Sequence, residues 1–362
     1  MRVGQAKFAV TMLGLFAFAI EGRAQVGACV NDRPNPYQMV QGWAPQTPRP
    51  LGEGNSIFVD TKNNLWFADR CGANCIGSDA APIWEVAPDG KVLKNFGAHL
   101  FIFPHGLAVD KEGNIWAVDR DIKDGMGAQV LKLSPDGKVL LRLGKAGQSG
   151  ADLDEFSRPA SVAIAPNGDI FVGDGHRAGD EGKPQTFGNA RIMKFDKNGK
   201  FIKTFGHLGR GDGELMQPHG LAFDSQGRLF VADRSNSRLE IFDQDGNFIT
   251  SWRQFGRPSS VWIDKNDTMY VTDSQSEPTS PEMSMYYPPN PGCQHGIRIG
   301  SAKTGEVKYY IPHPKLSPEV AKSLRLPLPG DLSDIEGIAA DSHGTIYAQA
   351  VTTKVIYKYV KR

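Results

Sequence analysis

A short β-rich unit recurs along this chain, and internal repetition restricts the fold more than any other feature of the sequence. One copy reads Pro104-His-Gly-Leu-Ala-Val-Asp110, Gly113-Asn-Ile-Trp-Ala-Val-Asp-Arg120, Val130-Leu-Lys-Leu-Ser-Pro-Asp-Gly137 and Val139 to Gly144. Apolar residues alternate within each run and Gly, Asp or Asn close it, so each run is a strand bounded by turns. Residues 159–206 and 218–252 repeat the unit, 54–97 and 258–311 are looser copies, and the last copy runs from Glu336 to Val360 with three strands. Six four-stranded antiparallel units predict an all-β, six-bladed propeller. The last blade lacks its outer strand, and Tyr37-Gln-Met-Val-Gln-Gly-Trp43 has the pattern to supply it. A solenoid would need capping repeats at its ends, and the sequence offers none.

The propeller is thus expected over residues 37–362, after an N-terminal extension at 25–36 and a signal peptide at 1–24. Arg2 and Lys7 accompany an apolar run of 13 residues, Phe8 to Ile20, which is too short for a comfortable membrane span. Gly22-Arg23-Ala24 then supplies small residues before a cut after Ala24. No second apolar stretch follows, so the mature chain is expected without a membrane span, in a secreted or periplasmic location. Export permits disulfides. The four cysteines, Cys29, Cys71, Cys75 and Cys293, allow three pairings. Cys71 with Cys75 is preferred because the two can close a small loop; one C-x3-C pair without a second argues against structural zinc there. The formal net charge of +1 gives no footprint for nucleic acid.

Aligning the six inner strands places Asn55, His105, Ala160, His219, Ser259 and Glu336 at equivalent positions. Potential ligands fall in alternate blades, roughly 120° apart about the axis of a six-fold ring. Two imidazoles and a carboxylate are a common catalytic zinc set with a fourth position open, although iron or manganese could use the same donors. His105, His219 and Glu336 are therefore the expected metal ligands. Residues that follow each second strand border the same mouth: Arg70, Arg120, His176, Arg234 and Ser274. The recurring Asp69, Asp119, Asp174, Asp233 and Asp273 before them read as turn-forming structure. A guanidinium fork at Arg70 or Arg234 suits a substrate carboxylate. Long connections at 71–82, 176–189 and 274–296 overhang this face, and the last, which includes Tyr286 and Tyr287, is the expected lid.

The repeated pattern resembles the NHL repeat over about residues 50–362. Beyond this, the two Pro-His-Gly-Leu motifs at 104–107 and 218–221, Phe67-Ala-Asp-Arg70, Asp174-Gly175 with Asn189-Ala-Arg-Ile192, and Val231-Ala-Asp-Arg234 resemble the peptidyl-α-hydroxyglycine α-amidating lyase family. The resemblance implies zinc at the channel mouth and cleavage of peptidyl-α-hydroxyglycine to a peptide amide and glyoxylate. It implies that His105 and His219 bind zinc and that Arg70 and Arg234 are active-site residues. The chain departs from the family at Glu336, where a third zinc histidine stands, and at Gly337, where an aspartate helps hold a structural calcium. His176 takes the place of the catalytic tyrosine and could act as a base near neutral pH; Asp334 takes that of a methionine.

Two functions follow. One is a zinc-dependent lyase-like enzyme, or a hydrolase variant, acting on a small-molecule or peptide substrate, with His176, Arg70 and Arg234 as catalytic residues. The alternative is a non-catalytic propeller module that binds a peptide, glycan or protein. A gluconolactonase-type propeller would want a Glu/Asn/Asp calcium set in the channel, where this chain has histidines.

Overall fold

A computed structural model of the chain describes residues 29–177, 188–276, 290, 292–314 and 334–362. The expected signal peptide lies outside the described residues, as do 178–187 and most of the expected lid, including Tyr286 and Tyr287. The described residues form six four-stranded antiparallel sheets arranged as a propeller. Blade 2 is representative, with strands Pro104–Val109, Ile115–Lys123, Met126–Leu133 and Val139–Leu143 in spatial order. The last blade holds Ile335–Ala340, Ile346–Ala350 and Ile356–Lys361, and Tyr37–Met39 pairs antiparallel with its outermost C-terminal strand, Tyr37 opposite Lys361. This outer strand is shorter than the sequence pattern predicts, because Gly42 turns the chain at φ 75°. Trp43 still packs on Tyr347 of the last blade and donates its indole N–H to the Pro88 carbonyl of the first.

Burial follows position in the blade. Second and third strands such as Ile170–Asp174 and Arg191–Phe195 are buried throughout because both faces meet a neighbouring sheet, whereas fourth strands such as Phe201–Phe205 alternate between covered and exposed residues. The apolar core is correspondingly divided into six clusters, one at each interface between adjacent blades. In one of them Trp116 and Val130 of blade 2 meet Val162 and Val172 of blade 3; in another Tyr347 of blade 6 meets Phe67 and Trp84 of blade 1.

The recurring aspartates do more than shape turns. Each lies in or directly after a second strand and accepts backbone N–H groups from the segment that leads into its blade's inner strand: Asp119 from Ile102 and Phe103, Asp174 from Ser157, Asp233 from Met216 and Gln217, and Asp273 from Arg257. Asp69 does the same for Gly52. These bonds fasten the mouth-facing ends of the inner strands. Two disulfides are present: Cys71 pairs with Cys75, the preferred pairing, and the remaining pair, Cys29 with Cys293, ties the N-terminal extension to blade 5.

Candidate functional site

The inner strands present their second residues to the channel by a local irregularity. In blades 3 to 6 the pairing register slips between the first and third residues of the inner strand, and in blade 2 between Pro104 and Leu107. The residue left out of the ladder at this bulge turns inward. His105, Ala160, His219, Ser259 and Glu336 are all buried there, and Asn55 is buried just before the regular inner strand Ser56–Val59 of blade 1. The glycine after each histidine lets the next blade come close. A Cβ on Gly106 would lie 2.7 Å from the Ala160 carbonyl oxygen, and one on Gly220 would lie 3.1 Å from that of Ser259. Those two carbonyls accept the Nδ1 protons of His105, at 2.7 Å, and His219, at 2.6 Å.

His176 joins them from the end of its second strand and donates Nδ1–H to the Arg177 carbonyl at 2.8 Å. The three rings form a triangle with centroid separations of 4.8, 4.9 and 5.2 Å. Each Nδ1 is bonded to a carbonyl, which can only accept, so each ring carries its proton on Nδ1 and offers the Nε2 lone pair. The Asn55 amide N–H reaches His105 Nε2 at 3.0 Å, and Arg234 donates to His176 Nε2 at 3.3 Å. His219 Nε2 is buried and makes no hydrogen bond. Burial first, then nearby cationic groups, pushes the rings of His105 and His176 well below the ordinary histidine range and His219 to about 3. All three are therefore neutral imidazoles, the form that binds metal.

The sequence-predicted residues meet at this mouth, but in different company. His105 and His219 are neighbours as expected. The ligand atoms that lie mutually close, within 4.8 Å, are those of His105, His176 and His219. Glu336 sits beside them with Oε2 at 3.7 Å from His219 Nε2, while its Oε1 accepts a 2.7 Å bond from Arg234. Burial would raise the Glu336 carboxyl, but Arg234, with His219 and Arg70 after it, outweighs burial and holds it at about 2. Arg234 thus bridges both residues that could complete a set with His105 and His219. Its short 3-10 turn, Arg234–Asn236, follows directly on Asp233. Arg70 donates to Asn55 and Glu53 at 3.2 Å each, and burial followed by repulsion from Arg120 lowers its guanidinium to about 10. Arg70 and Arg120 both lie against the Phe103 ring, and Arg120 forks onto Asp121. Ser274 hydrogen-bonds Ser259 across blade 5. Glu53 and Phe103 are partners that the sequence reading did not single out. Glu53 stands two residues before Asn55, in the loosest copy of the repeat, where alignment gives least help.

The trio fits a metal ion of the imidazole-binding class. It has neutral rings, carbonyl-anchored Nδ1 atoms of the kind that orient metal-bound histidines, and, at His219, a buried Nε2 that makes no hydrogen bond. Around it three guanidiniums face three carboxylates, Arg70 with Glu53, Arg120 with Asp121 and Arg234 with Glu336. A dication would leave the mouth positive and suited to an anionic substrate.

These features define an NHL-type β-propeller with a histidine cluster at one mouth; the NHL repeat family model matches residues 215–242, within blade 4. The chain resembles the peptidyl-α-hydroxyglycine α-amidating lyases. It is 35% identical over 234 residues to peptidyl-glycine alpha-amidating monooxygenase A of Xenopus laevis, covering 57% of this chain and 23% of that protein. It is 33% identical over 162 residues to a probable peptidyl-alpha-hydroxyglycine alpha-amidating lyase of Caenorhabditis elegans, covering 43% of this chain and 41% of that one. The chain thus matches less than half the length of either relative. A solved streptogramin B lyase superposes with a TM-score of 0.53 over 90% of this chain and 98% of its own, at 14% identity, a likeness of fold alone.

Proposed function

We propose that the chain is an exported, metal-dependent lyase that acts on a small or peptidyl substrate carrying a hydroxyl group next to a carboxylate. The observation that carries this reading is the His105, His176 and His219 triangle with all three Nδ1 atoms anchored. These residues would hold a zinc-class ion, which supplies polarisation of a substrate oxygen. Export is supported by the two disulfides and by the signal-peptide pattern at residues 1–24.

The chain's own groups then have distinct tasks. Arg234 and Arg70 take the substrate carboxylate through bidentate hydrogen bonds. That carboxylate competes with Glu336 for Arg234, so substrate binding loosens the pair and makes Glu336 more basic. With peptidyl-α-hydroxyglycine, the substrate hydroxyl gives its proton to Glu336 and its oxygen becomes the aldehyde carbonyl. The C–N bond breaks, its electrons stay on nitrogen, and nitrogen takes a proton. Peptide amide and glyoxylate leave, with no net oxidation.

Metal content and turnover separate this assignment from the one the sequence spacing favours. Purified protein is expected to hold about one equivalent of zinc by elemental analysis. His176→Ala should lose metal, whereas Glu336→Gln should keep metal and lose glyoxylate release. The reverse pattern, with metal lost in Glu336→Gln and kept in His176→Ala, would make Glu336 the third ligand and His176 the base. Protein that holds no metal after zinc loading would favour the binding module, a reading supported by the way Arg234 already fills His176 Nε2.

A further inference from the structure

Beside the histidine cluster the mouth face carries a second concavity, a groove of about 380 Å³ between blades 1 and 2. One wall is the Cys71–Cys75 loop, fastened by its disulfide and by the Cys75 N–H bond to the Ile102 carbonyl at 2.8 Å. The other wall is a hairpin longer than the repeat requires. Strands Ile115–Lys123 and Met126–Leu133 run past the point where the other blades break off, with a register shift between Asp119 and Ile122. Ile76 on the first wall and Ile122 on the second are each 46% exposed and line the same groove. Ile102 and Phe103 also line it, as do Arg120 and Arg158. Both arginines pair with Asp121, so guanidinium N–H groups line the polar side of the groove.

A run of side-chain contacts joins the lining of the groove to the candidate site. Phe103 lines the groove, Arg70 lies on that ring, and Arg70 reaches Asn55, which bonds His105. A group held at the histidines could therefore extend a neighbouring part of the same molecule between Ile76 and Ile122. Two apolar walls with guanidiniums at one edge suit an apolar side chain borne on a backbone whose carbonyl oxygens need donors.

We propose that this groove is a specificity subsite that takes a bulky apolar side chain of a peptidyl substrate, on the residue next to the reacting one. The proposal rests on the lyase reading for its substrate, and binding can test it without turnover. The probes are N-acetyl-Gly-Phe-α-hydroxyglycine and N-acetyl-Gly-Gly-α-hydroxyglycine for kcat/KM, and the corresponding amides, N-acetyl-Gly-Phe-NH2 and N-acetyl-Gly-Gly-NH2, for calorimetry. An apolar pocket discriminates by about 10-fold or more for a side chain of this size, so the Phe probe should be preferred by that factor in either measurement. Ile122→Ser and Ile76→Ser, both at exposed positions, should each collapse the Phe-to-Gly ratio toward one. Ile249→Ser, an exposed isoleucine on blade 4, should leave that ratio intact. If no substrate turns over yet the amides bind with this preference and the two groove variants abolish it, the groove stands and the lyase reading falls. If both substrates turn over equally, or the preference survives in both groove variants, the groove proposal is wrong and the lyase reading stands.

Discussion

Gly106 and Gly220 govern the site although neither carries a functional group. Each lies beside a histidine whose Nδ1 is held by the next blade, and that hold requires the two backbones to be close. A Cβ at Gly106 would meet the Ala160 oxygen and Ser161 Cα at 2.7 Å each, and one at Gly220 would meet Ser260 Cα at 2.9 Å. These neighbours are backbone atoms and cannot swing aside. Gly106→Ala or Gly220→Ala should cost about 1–3 kcal/mol in chemical denaturation and weaken zinc binding about 10- to 100-fold, as loss of a histidine-orienting bond does. Unchanged zinc affinity in both variants would show that the carbonyl contacts do not set the rings. Much at this scale was legible beforehand. The Pro-His-Gly-Leu motifs mark the inner strands, and their spacing brings His105 and His219 to one mouth. What spacing could not decide was whether Glu336 turns to a metal or to an arginine, Arg70 or Arg234. A carboxylate at the right height in the right blade can turn to a cation as readily as to a metal, and Arg234 reaches it from a second strand.

At the scale of the element, the recurring aspartates of the second strands differ in what neutralises them. Asp174, Asp233 and Asp273 each pair with an arginine of the third strand, namely Arg191, Arg238 and Arg298. Arg49 serves Asp69 from outside its blade. In blade 2 the residue opposite Asp119 is Gln129, so this carboxylate has backbone N–H donors but no paired guanidinium. Burial raises it to about 7, against 3.8 in the unfolded chain. A raised folded value means that stability is fully present below the unfolded value and is lost as pH rises through the folded one. Wild-type protein should therefore lose stability between about pH 4 and pH 7 through this group. Asp119→Asn should lack that loss, so the difference between variant and wild type should shift toward the variant from pH 5 to pH 8 in urea denaturation. A pH-independent difference would mean that Asp119 stays charged in the folded protein. The same blade holds the hairpin that sequence patterning underestimated. Its turn, Asp124-Gly125, was the signal that strands could run on past Arg120.

Across the whole molecule, a ring needs closing, and this one is closed twice. Tyr37–Met39 completes the last blade, with Tyr37 buried among Tyr270, Ile311 and Ile335. Cys29 and Cys293, separated by 264 residues, tie the same N-terminal segment to blade 5. The strand was legible in the sequence because a three-stranded last blade requires a fourth. The long bridge follows as the remaining pair once Cys71 joins Cys75, although spacing alone does not choose among the three pairings. The two closures should be separable. On a chain-entropy argument, replacing Cys29 and Cys293 by serine should cost about 5 kcal/mol, and replacing Cys71 and Cys75, only four residues apart, about 2 kcal/mol. Tyr37→Ala leaves both bridges intact and should cost about 3–5 kcal/mol as a buried aromatic. Deleting residues 25–45 removes the strand and the long bridge together and uncovers the edge of Ile356–Lys361, so it should exceed either single loss and promote association through that edge. Thermal melting with light scattering reads both effects, and a truncated protein that melts and stays monomeric like the full chain would mean that the ring holds without its N-terminal clasp.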